Sequence, residues 1–149
     1  MNQEKMDAYF MKVAQLTAEL SYAIRKKVGA VLVKDNRIIS IGYNGTIAGA
    51  PNECEDKLPD GSLVTKPTVV HAEANALFWC ARTEIQTDGA TLYLTLSPCA
   101  TCALGIIQSG IKRVVFLEKY RNEDGINILK SYGLKVEHFS FLPEKCVQY

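Results

Sequence analysis

Between about Glu4 and Ile24, Met6, Phe10, Val13, Ala14, Thr17, Leu20 and Ile24 recur every three to four residues, which predicts one amphipathic helix. Val28–Val33 and Arg37–Tyr43 are β-rich runs, and Lys34-Asp35-Asn36 between them is turn chemistry, so the pair is predicted to form a hairpin. Asn44 to Thr68 holds three glycines, three prolines and the scattered acids Glu53, Glu55, Asp56 and Asp60 without a sustained period, which predicts a long loop. From His71 to about Arg82 the chain is rich in Ala and Leu with no breaker, the pattern of a mostly buried helix. Asp88-Gly89 turns the chain into a short strand, Ala90–Leu96. A helix follows from Pro98, with Ser97 as its N-cap, to about Ser109, stopped by Gly110. Lys112–Leu117 reads as a strand, Glu123–Tyr132 as a helix ended by Gly133, and Leu134–His138 as a last strand.

Strand, helix, strand, helix, strand in the second half implies parallel pairing through crossovers, after an antiparallel opening hairpin. The predicted class is α/β: a mixed five-stranded sheet flanked by helices. At 149 residues the expectation is one domain, 1–149, with no internal repeat and no linker.

Composition narrows the classes of function. With 48% hydrophobic and 22% charged residues, the chain has the profile of a globular enzyme, not of a disordered segment. The formal charge of +1 argues against a nucleic-acid polymer as partner, because such proteins carry a basic stripe. A mononucleotide needs only one or two cations. No run of eighteen apolar residues and no leader pattern is seen, so neither membrane nor export is expected. Two of the five cysteines fall in a metal pattern, and Cys54, Cys80 and Cys146 have no even partner set, which points to a reducing compartment. The expected location is the cytoplasm, the host's for a viral source.

The chemistry is concentrated in His71-Ala72-Glu73 and Pro98-Cys99-Ala100-Thr101-Cys102. One imidazole and two thiolates are three Zn²⁺ ligands, and three leave a coordination position for water, the mark of a catalytic site. Cys99 and Cys102, three apart at a helix start, direct both sulfurs one way, and the helix dipole there favours thiolate. His71 opens the preceding helix, so Glu73 and free backbone N–H groups are aimed into the same pocket, with Glu73 as proton shuttle. Cys-x-x-Cys alone also suits redox chemistry or structural zinc. A structural site needs a fourth ligand, and His138, Cys54, Cys80 and Cys146 show no ligand spacing.

The pattern H-x-E…P-C-x-x-C is the signature of zinc nucleobase deaminases, and the chain resembles the cytidine/deoxycytidylate deaminase superfamily. Four stretches carry the likeness: Val28-Gly29-Ala30-Val31, Gly42-Tyr43-Asn44-Gly45, His71-Ala72-Glu73-Ala74-Asn75-Ala76-Leu77 and Ser97-Pro98-Cys99-Ala100-Thr101-Cys102. The Gly-Tyr-Asn-Gly turn and Asn75-Ala76 point to the deoxycytidylate (dCMP) branch. The resemblance implies a three-layer cytidine-deaminase-like fold and hydrolysis of dCMP to dUMP and ammonia, supplying the precursor of thymidylate. It implies Zn²⁺ held by His71, Cys99 and Cys102, and Glu73 as the catalytic acid and base.

For the nucleotide, the resemblance makes Asn44 the candidate for the deoxyribose hydroxyl, with a left-handed turn Asn as the alternative. It makes the Ser97 backbone the acceptor for the exocyclic amine, with Ala72 beside it. A 5′-phosphate calls for a guanidinium or hydroxyl donor, and Arg25 and Tyr120-Arg121 are the candidates by position, each otherwise an ordinary surface residue. Phe78 and Trp79 would wall the base pocket or lie in the core.

Some dCMP deaminases hold a second, structural zinc. Here Cys54 matches their loop cysteine, but Ala23 stands at the helix-one position and no spare histidine stands in the shortened loop, so one zinc per chain is expected. Many family members are hexamers activated by dCTP and inhibited by dTTP. The corresponding stretch, Gly42, Tyr43, Gly45, Thr46 and Gly49, makes a homo-oligomer with an effector site the expectation. The competing readings are a tRNA, nucleobase or nucleoside deaminase with the same zinc site, or a non-catalytic zinc-stabilised module, which would not need Glu73.

Overall fold

A computed structural model describes residues 2–141 of the chain; Cys146 lies outside them. Helix α1 (Gln3–Ala18) is capped by Asn2, whose side chain accepts the Lys5 N–H. It ends at Ala18, not near Ile24. The chain leaves it through turns in which Leu20 N–H bonds Thr17 O and Ser21 N–H bonds Ala18 O. Leu20 and Ile24, which extended the apolar stripe in the sequence, are 54% and 75% exposed. Ser21 Oγ instead donates to Asn44 O at 2.7 Å, fastening the segment by polar contacts.

Strands β1 (Gly29–Lys34) and β2 (Arg37–Tyr43) form the predicted antiparallel hairpin. Asp35 and Asn36 turn it at φ 51° and 56°, left-handed values that match the twist of a two-residue hairpin loop. The predicted loop after β2 contains a second hairpin, β3 (Glu55–Lys57) with β4 (Leu63–Thr65). Its turn is built by Asp60, whose Oδ1 accepts both the N–H and the Oγ–H of Ser62, and by Gly61 at φ +87°. Three rungs are too few to show as alternation in a sequence.

Beyond helix α2 (Ala72–Arg82) the chain alternates as predicted: β5 (Thr91–Leu96), α3 (Ala100–Gln108), β6 (Arg113–Glu118), α4 (Asp124–Ser131) and β7 (Lys135–His138). The five-stranded sheet has the order β2-β1-β5-β6-β7; β1 runs antiparallel to both neighbours, and β5, β6 and β7 are parallel. Alternation sorts the faces. Ala30, Leu32, Leu92, Leu94 and Val114 pack with α2, α3 and Leu129 of α4, while Val31, Val33, Tyr93 and Val115 pack with Phe10, Met11 and Ala14 of α1. The result is the expected three layers.

Helix α2 buries only one face, through Ala72, Glu73, Ala76, Leu77 and Cys80. Phe78 and Trp79 are 62% and 53% exposed, so they neither wall a pocket nor join the core. An 11-residue helix against one sheet face must leave its outer stripe uncovered.

On the α1 side, Arg113 grips Asp7 with both terminal nitrogens, at 2.9 and 2.7 Å, and also meets Glu137. Tyr93 donates its hydroxyl proton to Asp7. Burial pushes the Asp7 carboxyl up, but the bonds from Arg113, Tyr93 and Gln3 outweigh it and hold the group below its ordinary range. This cluster ties α1 to the three parallel strands.

Candidate active site

The predicted zinc ligands meet beyond the C-terminal ends of β5 and β6, where open α/β sheets place their ligands. His71 is the N-cap of α2 in extended backbone and makes no side-chain cap bond, which leaves its ring free to face α3. Helix α3 starts at Ala100, not at Pro98, and its cap is Cys99, not Ser97. Cys99 Sγ accepts the Cys102 N–H at 3.5 Å, while Ser97 Oγ accepts the Tyr120 N–H at 2.7 Å. The sulfur thus takes the cap role that a hydroxyl usually plays. A Cβ on Gly125 would lie 2.0 Å from Pro98 O, so only glycine lets the start of α4 close on the peptide that carries Cys99.

His71 Nδ1 lies 3.6 Å from Cys99 Sγ and 3.4 Å from Cys102 Sγ. A tetrahedral zinc with Zn–N of about 2.0 Å and Zn–S of about 2.3 Å requires N···S edges of about 3.5 Å. The donor set and its spacing fit Zn²⁺. Among the described residues, His71, Cys99 and Cys102 form the group close enough to share one ion. His138 is elsewhere, stacked on Phe116 with Nε2 2.8 Å from Leu117 O.

Glu73, in the first turn of α2 and 3% exposed, places Oε1 3.5 Å from His71 Nδ1. The hydrogen bond to Glu73, opposed by burial, raises His71 to about 9. Burial and then the Glu73 charge push the Cys102 thiol upward.

A cleft of about 580 Å³ adjoins this corner, lined by Ala72, Glu73, Ser97, Asn44, Arg25 and Tyr120. All the residues predicted to bind substrate therefore share one cavity with His71, Glu73 and Cys99. Asn44 does not adopt the left-handed backbone of the turn alternative. Its Oδ1 accepts the Val28 N–H and its Nδ2 donates to Lys26 O, both at 2.8 Å, so it splints the segment before β1 and keeps one N–H for another acceptor.

The predicted effector residues lie outside the cleft. Gly42 is buried, and a Cβ there would lie 2.3 Å from Ala72 O and 2.6 Å from Ala76 N, so its place in the sequence reflects packing of β2 under α2 and not contact with a ligand. Gly45 pairs with Val70 through two backbone bonds. Tyr43 is 37% exposed, Thr46 is half-buried, and Gly49 is exposed at φ +88°.

Sequence reasoning missed several neighbours. Lys26, Glu55, Thr65 and Lys119 also line the cleft, and Asn75 Nδ2 donates to Tyr43 O at 2.8 Å, tying α2 to the end of β2. The turn residues Pro59-Asp60-Gly61-Ser62 were the available signal for the β3–β4 hairpin that carries Glu55 and Thr65.

Comparison with known proteins agrees with this arrangement. The family described as the cytidine and deoxycytidylate deaminase zinc-binding region matches residues 4–118. The chain is 38% identical over 146 residues to the deoxycytidylate deaminase of Saccharomyces cerevisiae, covering 93% of this chain and 46% of the yeast protein. It is 35% identical over 165 residues to that of Enterobacteria phage T4, covering 85% and 86%. The dCMP deaminase of cyanophage S-TIM5, whose crystal structure contains dCMP and dUMP, superposes with a TM-score of 0.84 at 44% identity, covering 93% of this chain and 99% of that one. The chain spans less than half of the yeast relative but nearly all of the phage structure, and the shared region contains both helix starts that bear His71 and Cys99. On these grounds the chain belongs to the cytidine and deoxycytidylate deaminase family.

Proposed function

We propose that this chain is a dCMP deaminase, converting dCMP and water to dUMP and ammonia within one catalytic domain, 1–149. The observation that carries the reading is a buried carboxylate, Glu73, beside a three-donor corner in a cleft that Arg25 also lines. The relative that superposes over 93% of the chain holds dCMP and dUMP.

His71, Cys99 and Cys102 would hold one Zn²⁺ per chain. When bound, the ion supplies a Lewis acid that lowers the pKa of water toward about 7. Glu73 takes a proton from the water that adds to C4 of the base and delivers it to N3. The same carboxylate then takes the proton of the new C4 hydroxyl and delivers it to the exocyclic amine, which leaves as ammonia as the C4–N bond breaks and the C4 carbonyl forms. Ser97 offers its backbone carbonyl to that amine, and Ala72, at the start of α2 where N–H groups lack helical partners, meets the base. Asn44 holds the deoxyribose hydroxyl with its spare N–H, and Arg25 and Tyr120 meet the 5′-phosphate.

Among the described residues no helix is long and apolar enough to cross a membrane. The reading extends to a cytoplasmic homo-oligomer, a hexamer, activated by dCTP and inhibited by dTTP. Tyr43, Gly45, Thr46 and Gly49 stay as the effector candidates.

An ultraviolet assay across cytosine, cytidine, deoxycytidine, CMP, dCMP and dCTP, with and without dCTP and dTTP, tests substrate and regulation together. dCMP is expected to be turned over best. Preference for a free base or nucleoside would replace the reading.

A further inference from the structure

Four cationic side chains line the cleft, and they are not equivalent. Lys26 pairs with Glu118, Lys119 pairs with Glu123 at 3.0 Å, and Arg121 lies 6.0 Å from the Tyr120 ring centre. The Arg25 guanidinium is held by a neutral group, donating from Nη1 to Thr65 Oγ1 at 3.2 Å. A hydroxyl orients a guanidinium without cancelling its charge.

Arg25 sits in the irregular segment between α1 and β1, where a long side chain has many rotamers to lose on binding. Its backbone is pinned from the same place. Glu55 Oε1 accepts the Ile24 N–H at 2.9 Å and the Arg25 N–H at 3.1 Å. Glu55 and Thr65 are directly opposite each other on β3 and β4, so their side chains leave the hairpin on one face. One rung therefore fixes both ends of Arg25, the carboxylate taking the backbone and the hydroxyl taking the guanidinium.

We infer that the Glu55–Thr65 rung is a positioning element that presets Arg25 for the 5′-phosphate of the nucleotide, an inference that rests on the dCMP reading above. Glu55 acts through backbone acceptance and touches no reacting atom. Its carboxylate is committed to two N–H groups, which leaves the guanidinium to meet an anion from solvent.

The test is steady-state kinetics of the zinc-loaded full chain with dCMP and with deoxycytidine, which lacks the phosphate. Glu55→Ala is expected to raise KM for dCMP about tenfold, the size of one lost charge-assisted hydrogen bond, with kcat little changed. Turnover of deoxycytidine should not move. Glu55→Gln should restore KM, because the amide oxygen accepts the same two N–H groups. Thr65→Val should raise KM and Thr65→Ser should restore it, a second pair that stands if Glu55→Ala folds poorly. Unchanged KM in both Glu55→Ala and Thr65→Val, or equal losses on dCMP and deoxycytidine, would overturn the inference. If instead Arg25→Ala leaves KM for dCMP unchanged, the phosphate role of Arg25 is wrong and the rung falls with it. A wild-type chain inactive on dCMP both with and without dCTP would refute the substrate reading itself.

Discussion

Two polar clusters sit on opposite sides of the same sheet, and they balance their charge differently. In the Asp7–Tyr93–Arg113–Glu137 cluster, one guanidinium lies between two carboxylates and a phenol closes the network. Its carboxylates are paired within the chain, while Arg113 Nε is buried without a partner among the described residues. In the His71–Glu73–Cys99–Cys102 corner three donor atoms converge beside one buried carboxylate, with Nδ1 3.6 and 3.4 Å from the two sulfurs. The first cluster pairs its charges with one another and ties elements of the fold together, whereas three converging donors at metal-ligand spacing suit a cation from outside.

Glu73→Gln would break the comparison most sharply. Turnover of dCMP should fall by about 10²–10⁴-fold, with zinc content by atomic absorption and thermal unfolding near wild type. Near-normal turnover would remove Glu73 from proton transfer. On the other side of the sheet, Arg113→Ala removes the shared partner of Asp7 and Glu137, leaving Asp7 with Gln3 and Tyr93 and Glu137 with Lys135, and should lower urea-unfolding stability by about 1.5–3 kcal/mol, while the folded fraction keeps its activity. An unchanged midpoint would show the cluster to be ornamental.

Gly125→Ala links fold and site. The added methyl meets the Pro98 carbonyl, so a loss of about 1–3 kcal/mol is expected from overpacking, together with weaker zinc retention as the Cys99 peptide is displaced. Loss of stability with zinc affinity intact would detach α4 from the corner.

The smallest effect concerns pH. Asp7 has a depressed folded pKa, so the stability it contributes is present above its unfolded value of about 3.9 and is lost as pH falls through the folded value. The unfolding midpoint should therefore decline as pH drops below about 4, and Asp7→Asn should flatten that limb. Identical slopes would assign acid sensitivity to other carboxylates.

The elements with long, regular apolar periods were legible: the β1–β2 hairpin, the alternating second half and the three-layer mixed sheet all appear as the pattern implied. Errors fell where a pattern is short or misleading. Leu20 and Ile24 continued the stripe of α1 but lie on no buried face, and β3 and β4 are three residues each. Phe78 and Trp79 follow Ala76 and Leu77 at helical spacing, yet they stand 62% and 53% exposed. Cys99 rather than Ser97 caps α3, and Ser97 accepts instead from Tyr120, distant in sequence.

The sequence by itself determined the chemical vocabulary: an imidazole, two sulfurs and a carboxylate, each at a helix start, because donor identity and helix phase are local properties read over a few residues. Only the tertiary structure decided that Nδ1 faces both sulfurs at the edge length of a zinc tetrahedron, that Cys99 caps its own helix, and that Glu55 and Thr65 fix Arg25. Those contacts join segments remote along the chain, and they follow from strand register and the close approach of helices, which no local pattern encodes.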